Sequence, residues 1–468
     1  RGIEARTVVL GAVLGAALAA TFHAAIASNS YNLWGAVLVV PAVVLLDVAI
    51  IYRLARGRGG DPWLSRMLEL ALLARLFGTI ARYSVSYVFY GGSTDAQRYN
   101  LYAAYQYRLW RDGLLVWDPG GKQGTQWMEI ITTAVYTVIG PSTLAAFFVF
   151  GSFAFWGTYL MYRAFVLAIP DGDRQRFALL IFFLPSLLYW PSSIGKEAWL
   201  TFFVGVTAYG AARFFTSRSW GIVLLALGAA GTTLSRPHVA VLLFAALLVA
   251  QFFRPARTQR GGFLAKFAAL GVLSLAAYVL ASQSATFLGI DDFSYQAVAD
   301  SVGVAGEQAS QGGSAFTPVS LSSPFGIPIA VVTVLFRPFP FETTNPAMLV
   351  QSTEGLVLMI LVVRWRPRIA TCVTMVRSNP FVSFCVVYVG AFIIAFALRL
   401  LGDRVRPLSG ARERTVPVPP ALAALVPQQG LQRGSTVATT GTVASTLALA
   451  LAGPTTQAGS WVAVVGLH

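Results

Sequence analysis

The sequence predicts an all-α fold, a polytopic bundle of about 10–12 transmembrane helices with two long extracytoplasmic loops. The composition supports this fold, because 56% of the 468 residues are hydrophobic and only 11% are charged. Such a chain is ordinary for a polytopic membrane protein and would be insoluble as a globule. Apolar runs of about 17–25 residues recur along the chain, which is the length of a membrane-spanning helix.

The apolar runs define the predicted spans. The first run follows Arg1 and Arg6, and its length of about 20 residues favours a spanning helix over a signal peptide. The chain begins with Arg rather than Met, which is consistent with a fragment or a processed form. No internal repeat is evident. The predicted spans cover roughly residues 7–27, 32–52, 67–90, 141–162, 177–191, 197–212, 220–234, 239–253, 267–288, 346–363 and 380–400.

The loops between the spans orient the chain. With a cytoplasmic N-terminus, the inner loops, each of which contains Arg or Lys, are 53–66, 163–176, 213–219, 254–266 and 364–379. This positive-inside pattern predicts a multi-pass membrane protein and also accounts for the net charge of +15. No basic stretch away from the membrane is interleaved with aromatic residues, so nucleic acid is excluded as a partner.

Two predicted outer loops are long enough to hold helices of their own. In the loop 91–140, Tyr99, Tyr102, Leu109 and Trp110 recur at helical spacing, which predicts an amphipathic interfacial helix, and residues 126–139 form a second candidate. In the loop 289–345, the apolar run 324–336 is too short to span. It is predicted to be a re-entrant or interfacial segment, which membranes tolerate only where protein or water covers the backbone.

The last part of the chain differs from the rest. Residues 1–400 form the predicted helical domain, whereas 401–468 contain a tract rich in Ala, Thr, Ser, Gly and Pro at 417–456. One interpretation is a disordered tail. The other is a change of reading frame that destroyed a final helix.

Charged residues on the predicted outer side lie at the ends of spans, where a charge is costly and therefore more often functional. Asp95 follows the third span and precedes Arg98 by three residues. A carboxylate there is suited to act as a general base on a sugar hydroxyl, or to bind a divalent cation. The structural alternative is an N-cap for the following helix.

Two further segments combine a helix start with basic side chains. Lys196 and Glu197 follow a turn with Pro and Gly, and free N–H groups together with an ammonium favour an anion such as phosphate. Arg236 offers a bidentate fork for phosphate, and His238 can transfer a proton near neutral pH. The alternatives are a tight turn with a local Lys–Glu pair and an arginine that snorkels to lipid headgroups.

The remaining candidates are Arg337 with Glu342, in a Pro/Phe segment, and Arg82 with Arg75, inside the third span. The first pair is either part of the site or a salt bridge in an aromatic belt. The two arginines of the third span share one face and are expected to pair with Glu69, Asp95 or a lipid phosphate. Together, the charges at the span ends predict one outer polar site for a phosphorylated substrate.

Other classes of chemistry lack their motifs. The two cysteines have neither metal-ligand nor redox spacing, so no metal site is predicted. A P-loop, a dinucleotide fingerprint, HExxH and GxSxG are all absent from the sequence, which leaves ATP-driven transport by this chain unsupported.

Four segments follow one another along the predicted outer side: STDAQRYN, WPSSIGKEAW, LSRPH and LFRPFPFE. As an ordered set within residues 65–400, they resemble the polytopic proteins of bacterial polysaccharide gene clusters. These are the Wzy-like O-antigen and exopolysaccharide polymerases and the wider GT-C glycosyltransferases. Such families use polyprenyl-linked sugar donors on the outer face of the cytoplasmic membrane.

The resemblance implies an integral membrane glycosyltransferase or polysaccharide polymerase in the bacterial inner membrane. It implies no soluble cofactor, while a divalent cation remains compatible with Asp95. The implied partners are a polyprenyl-linked sugar or oligosaccharide, membrane lipids and other polysaccharide-assembly proteins. Asp95 and His238 are the catalytic candidates, and the candidate substrate and phosphate ligands are Arg82, Arg98, Lys196, Glu197, Arg236, Arg337 and Glu342.

Two other functions stay open at this point. A transporter or flippase for a lipid-linked saccharide predicts internal repeats and charges near the middle of the membrane. A non-catalytic subunit of a polysaccharide assembly machine predicts that no single charge is essential.

Overall fold

The computed structural model describes residues 31–56, 61–115 except 93, 117, 123–254, 326–343, 346–402, 415–417 and 430–432, with scattered positions in 12–30 and 267–274. The chain divides into two compact units. The first comprises 1–301 and 328–397 and contains the helical bundle. The second comprises 302–327 and 398–468.

The described chain is almost entirely helical. A π-helical turn, Val85–Phe89, continues α2, and a 3₁₀ turn, Pro340–Glu342, follows α11. The helices in order are α1 (Tyr31–Arg56), α2 (Pro62–Ser84), α3 (Asp95–Arg111), α4 (Gln123–Ile139), α5 (Thr143–Ala168), α6 (Arg174–Phe183), α7 (Pro185–Tyr189), α8 (Lys196–Phe215), α9 (Gly221–Ser235), α10 (Pro237–Phe253), α11 (Gly326–Phe336), α12 (Pro346–Arg364), α13 (Arg366–Met375) and α14 (Pro380–Gly402).

Several helices have the length and the apolar character of a membrane span. Within the described residues these are Tyr31–Leu54 of α1, the whole of α5 and the whole of α8. The pair α12 and α13, bent by 75°, adds a fourth if it counts as one span, and α9, α10 and α14 are apolar but shorter. The predicted helical, membrane-type architecture is therefore confirmed in this coarse form. The count of 10–12 spans stays a prediction. About half of the run 7–27 and most of the run 267–288 lie outside the described residues.

Short polar side chains fix where helices begin. The Asp61 carboxylate accepts hydrogen bonds from the N–H groups of Trp63 (3.1 Å) and Leu64 (3.3 Å), and Pro62 occupies the first helical position. Ser142 caps α5 through the N–H of Ala145 at 3.2 Å. Such caps satisfy N–H groups that have no partner inside the helix.

Helix α5 is the centre of the bundle and packs against α1, α2, α4, α6 and α8. Its closest approach is to α8, where Gly157 and Gly205 bring the two backbones together. Small residues allow this contact, as is usual between helices in membranes. On the α1 side, the buried Asp47 carboxylate accepts hydrogen bonds from Ser152 Oγ (2.7 Å) and Trp156 Nε1 (2.8 Å).

The predicted span 177–191 is divided into α6 and α7 by an extended residue, Leu184. The cause is Pro185, which lacks an N–H and disfavours the helical conformation in the residue before it. A second difference lies in the predicted inner loop 364–379, most of which is the helix α13.

Both helices predicted in the loop 91–140 are present, as α3 and α4, and they pack against each other. The buried face of α3 contains Ala96, Tyr99, Ala103 and Tyr107, whereas the position of these helices at a membrane interface stays a prediction.

The second long loop is described only in its last part. The short apolar run forms α11, whose eleven residues are about 16 Å long, too short to span. Its re-entrant character stays a prediction, and residues 289–325 lie outside the described range. In the tail, the described residues form two antiparallel strands, β1 (Thr415–Pro417) and β2 (Gly430–Gln432). The two interpretations of 401–468 both stay open.

Candidate functional site

The N-terminal ends of four helices, α3, α4, α8 and α10, lie close together. The ammonium of Lys196 on α8 donates a hydrogen bond to Thr125 Oγ1 on α4 at 3.0 Å. The guanidinium of Arg236, which precedes α10, pairs with Glu197 on α8 at 2.8 Å. The Lys196 ammonium also interacts electrostatically with Asp95 and Arg98 of α3. We call the group of Asp95, Arg98, Glu129, Lys196, Glu197 and Arg236 the charged cluster.

Local sequence places Asp95, Lys196 and Arg236 at helix starts. Gly91 and Gly92 have positive φ values of 55° and 83°, which turn the chain after the π-helical segment into α3. Thr94 occupies the N-cap position and Asp95 lies in the first helical turn, so the structural alternative, in which Asp95 is the N-cap, is wrong. Gly195 precedes α8, and Pro237 is the first residue of α10.

A glycine lets the helix ends meet. A Cβ atom on Gly124, in the first turn of α4, would collide with the backbone oxygen of Ser235 at the end of α9, and Lys196 Cε lies next to the same point. The contact brings α4 to the junction of α9 and α10, where Arg236 is located. A larger residue at this position would separate Thr125 from Lys196.

The cluster contains two ion pairs of very similar length and different burial. Arg98 Nε lies 2.9 Å from Glu129 Oε1, and the Glu129 side chain is only 4% exposed. Arg236 Nη2 lies 2.8 Å from Glu197 Oε1, and that pair is 37% and 46% exposed. Water therefore reaches both partners of the second pair, which makes it the easier of the two to open.

Two charges of the cluster are left without a charged hydrogen-bond partner in the described part of the chain. Lys196 uses one of its three donors on the neutral hydroxyl of Thr125. Asp95 is exposed and has neither a hydrogen bond nor an ion pair to a described residue. Of the three carboxylates, Asp95 is thus the one available to accept a proton, and Lys196 is the cation available to an anion.

Tyr99 lies below this surface, on the next turn of α3, and is only 2% exposed. Burial raises its pKa above the ordinary value of 10.0, and the carboxylates of Asp95 and Glu197 act in the same direction. Thr125, the partner of Lys196, acts in the opposite direction but does not outweigh burial, so the phenol stays neutral.

The arginines of the third predicted span do not pair with an acid. The Arg82 guanidinium lies over the rings of Tyr189 (4.9 Å) and Trp190 (4.8 Å) and donates to the Tyr189 hydroxyl at 3.2 Å. Arg75 contacts backbone carbonyls of α7 instead of a carboxylate. Aromatic faces and carbonyl oxygens, rather than carboxylates, contact the two guanidinium groups, so the expected pairing with Glu69 or Asp95 is wrong.

Arg337 and Glu342 form a third group. Their side chains make two short contacts, at 2.8 Å and 2.7 Å, and Glu342 also accepts the N–H of Phe339 at 3.0 Å. Burial alone raises the pKa of Glu342, but the Phe339 N–H and the Arg337 guanidinium outweigh it and hold the pKa below its ordinary value. Phe339 and Phe341 stack beside this pair at 5.5 Å.

The predicted site residues are therefore divided among three groups: the charged cluster, Arg82 with its aromatic partners, and Arg337 with Glu342. His238 lies half-buried in the first turn of α10, two residues after Arg236, and its catalytic role stays a prediction. Thr125 and Glu129 were not among the site residues predicted from the sequence. The sequence could have indicated Glu129, because it is the one charged residue of α4.

Among the described residues, no group of three or more His, Cys, Asp or Glu side chains is arranged to hold a metal ion. Comparisons with protein families, curated proteins and solved structures gave no match to this chain. The geometry of the charged cluster is therefore the basis for inferring a function.

Proposed function

We propose that this protein is an integral membrane glycosyltransferase or polysaccharide polymerase. Its donor is a sugar linked to a polyprenyl phosphate, used at the extracytoplasmic face of the bacterial cytoplasmic membrane. The observation that carries the proposal is the meeting of four helix N-termini at Lys196, with Arg236 and Asp95 in the same cluster. Helix N-termini and a lysine ammonium both attract a phosphate group.

The proposed reaction uses Asp95 and Lys196, the two charges of the cluster that lack a charged hydrogen-bond partner among the described residues. The hydroxyl of the acceptor sugar attacks the anomeric carbon of the donor, and the bond from this carbon to the phosphate oxygen breaks. Asp95 accepts the hydroxyl proton as general base. Negative charge develops on the departing polyprenyl phosphate, where Lys196 and the N–H groups of the first turn of α8 stabilise it.

The other candidates have subordinate places in this proposal. Arg236 joins Lys196 on the phosphate when its exposed pair with Glu197 opens, because a bidentate phosphate contact replaces the carboxylate. Arg98 stays with the buried Glu129 and contributes its charge from there. Arg82, Arg337 and Glu342 belong to the other two groups, and their contact with the substrate, like the base role of His238, remains a prediction.

The test uses full-length protein in vesicles, supplied with radiolabelled polyprenyl-linked sugars and acceptor from the source strain. Asp95→Asn is compared with Asp112→Asn, an exposed aspartate at the other end of α3, and Lys196→Gln is examined with them. We expect product from the wild type and from Asp112→Asn. Asp95→Asn should react at least about 100-fold more slowly, as expected for loss of a general base.

Equal product formation by Asp95→Asn and Asp112→Asn would refute the base assignment. If no product forms but labelled lipid crosses the bilayer of the vesicles, the protein is a flippase and the transferase proposal is wrong. If Lys196→Gln is fully active, the cluster does not bind the phosphate.

A further inference from the structure

The segment that leads to Lys196 is a buried loop rather than a surface turn. Between α7 and α8, Ser192, Ser193 and Ile194 are 0%, 5% and 1% exposed. Buried backbone groups outside a regular helix need partners, and inside a membrane only the protein itself supplies them. The partners of this loop therefore determine where Lys196 is held.

Arg75 on α2 contacts the end of α7 and the first serine side chain of this loop. It is 2% exposed, and its Nη1 donates to the carbonyl oxygens of Leu187 (2.7 Å) and Leu188 (3.4 Å), which end the helix. The same Nη1 lies 3.2 Å from Ser192 Oγ in the loop. A cation at the carbonyl end of a helix is favourable, and here it also joins that end to the loop.

Glu354 on α12 holds the other end of α7. Its Oε2 accepts the N–H of Ser186 at 2.6 Å, and its Oε1 accepts the Ser186 hydroxyl at 2.6 Å. Ser186 is the second residue of α7, so the carboxylate satisfies an N–H that the helix leaves without a partner. A helix of five residues is too short to be stable without such contacts.

Close packing fixes the geometry between the two clamped ends. At Gly78, one turn after Arg75, an added Cβ would lie 2.6 Å from the carbonyl oxygen of Leu188. Ser192 Oγ also donates to Leu188 O at 2.6 Å. The end of α7 and the start of the loop therefore have little freedom to shift while Arg75 and Gly78 are in place.

We infer that Arg75 is a positioning residue for Lys196, and that Glu354 acts with it from the opposite end of α7. Arg75 and Glu354 hold the break in the chain so that α8 begins beside α4, with the Lys196 ammonium on Thr125. This inference rests on the proposed function only in so far as Lys196 binds the phosphate of the substrate. The position of Lys196 itself is measurable without any substrate.

The sequence offers a direct readout, because the chain has only three lysines, Lys122, Lys196 and Lys266. Full-length protein in nanodiscs is treated with an amine-acetylating reagent, and the modification rate of each lysine is followed by mass spectrometry. Arg75→Gln is compared with Arg66→Gln, an exposed arginine of the same helix. We expect Arg75→Gln to raise the rate at Lys196 about 2- to 12-fold relative to the other lysines, the factor for losing one hydrogen bond.

Glu354→Gln should raise the Lys196 rate in the same direction, and Arg66→Gln should leave it unchanged. Where Arg75→Gln does not give monodisperse protein, Ser192→Ala is used in its place. It removes one contact of Arg75 together with the hydrogen bond from Ser192 Oγ to Leu188 O, and should produce a smaller rise. Arg75→Lys, which keeps a charge and a donor, should restore part of the protection. The inference is wrong if Arg75→Gln, or Ser192→Ala in its place, reacts at Lys196 like Arg66→Gln.

A second measurement separates the position of Lys196 from its function. Inorganic pyrophosphate is added as a probe, and the concentration that half-protects Lys196 from acetylation is measured. We expect the half-protecting concentration of pyrophosphate to be higher for Arg75→Gln than for Arg66→Gln. If pyrophosphate protects no variant while Arg75→Gln still raises the reactivity, Lys196 does not bind phosphate and the positioning role stands. If pyrophosphate protects both variants equally and the acetylation rate of Lys196 is the same in both, the positioning role of Arg75 is refuted, whereas phosphate binding by Lys196 is not.

Discussion

The two ion pairs of the charged cluster predict very different costs for removing an arginine. Arg98→Ala leaves Glu129 buried, with its side chain only 4% exposed and no other described hydrogen bond to its carboxylate. Arg236→Ala leaves Glu197 in contact with water, at 46% exposure. The distances, 2.9 Å and 2.8 Å, are almost the same, so burial alone distinguishes the pairs.

The magnitudes follow from the environment of the carboxylate that remains. Breaking a fully buried ion pair costs about 3–5 kcal/mol. Arg98 is itself 59% exposed, so water enters the place that it leaves, and we expect about 1–3 kcal/mol for Arg98→Ala. For Arg236→Ala we expect about 0–1 kcal/mol, the usual value for an exposed pair.

The assay is unfolding of the purified full-length protein in mixed micelles by titration with sodium dodecyl sulfate, followed by tryptophan fluorescence. Adding Glu129→Gln to Arg98→Ala removes the buried charge and should recover most of the lost stability. Equal losses for Arg98→Ala and Arg236→Ala, within about 0.5 kcal/mol, would refute the argument from burial. So would a double variant that is no more stable than Arg98→Ala.

Four further outcomes follow from the contacts. Gly78→Ala should destabilise by about 1–3 kcal/mol, whereas Gly390→Ala, which meets no atom within 4 Å, should not, as measured by the same titration. Asp47→Ala should lower the free energy of unfolding by about 1–3 kcal/mol, because it leaves the two donors on α5 without their acceptor on α1. Because the pKa of Glu342 is depressed in the folded state, its pair stabilises the protein above the unfolded value, near 4.5, and this contribution is lost as the pH falls through the folded value. Glu342→Gln should therefore lose stability at neutral pH and show a shallower decline below pH 4.5, measured as the thermal midpoint against pH. Glu197→Gln should tighten pyrophosphate binding about two- to fivefold by freeing Arg236, measured by protection of Lys196.

Matched variants decide these outcomes. Asp47→Asn keeps one acceptor oxygen and should cost less than Asp47→Ala, and the reverse order would contradict the role of the two donors. A pH profile for Glu342→Gln that matches the wild type would exclude a contribution from the Arg337 pair. Weaker pyrophosphate binding by Glu197→Gln would mean that this carboxylate helps to form the site rather than competing with the ligand.

Much of the secondary structure could be predicted from the sequence, because capping, proline and helical spacing act over a few residues. The capping residues and the proline at the start of α2 follow from hydrogen bonding within a few residues. The helical spacing of Tyr99 and its neighbours predicted α3. The break at Pro185 was also predictable from the sequence, because proline interrupts helices. The prediction of one span over 177–191 followed the hydropathy and overlooked this proline.

The sequence by itself determined that the chain is helical and of membrane type, and that Asp95, Lys196 and Arg236 stand at helix ends. Only the tertiary structure decided which charges meet. Arg98 pairs with Glu129, which is 31 residues away in the sequence, and Arg236 pairs with Glu197, which is 39 residues away. Arg75 donates a hydrogen bond to α7, 112 residues further along the chain. The physical reason is that hydropathy and capping act over a few residues. The partner of a charge depends on which helix faces pack together, and in this bundle the close approaches at Gly124 and Gly78 set that packing.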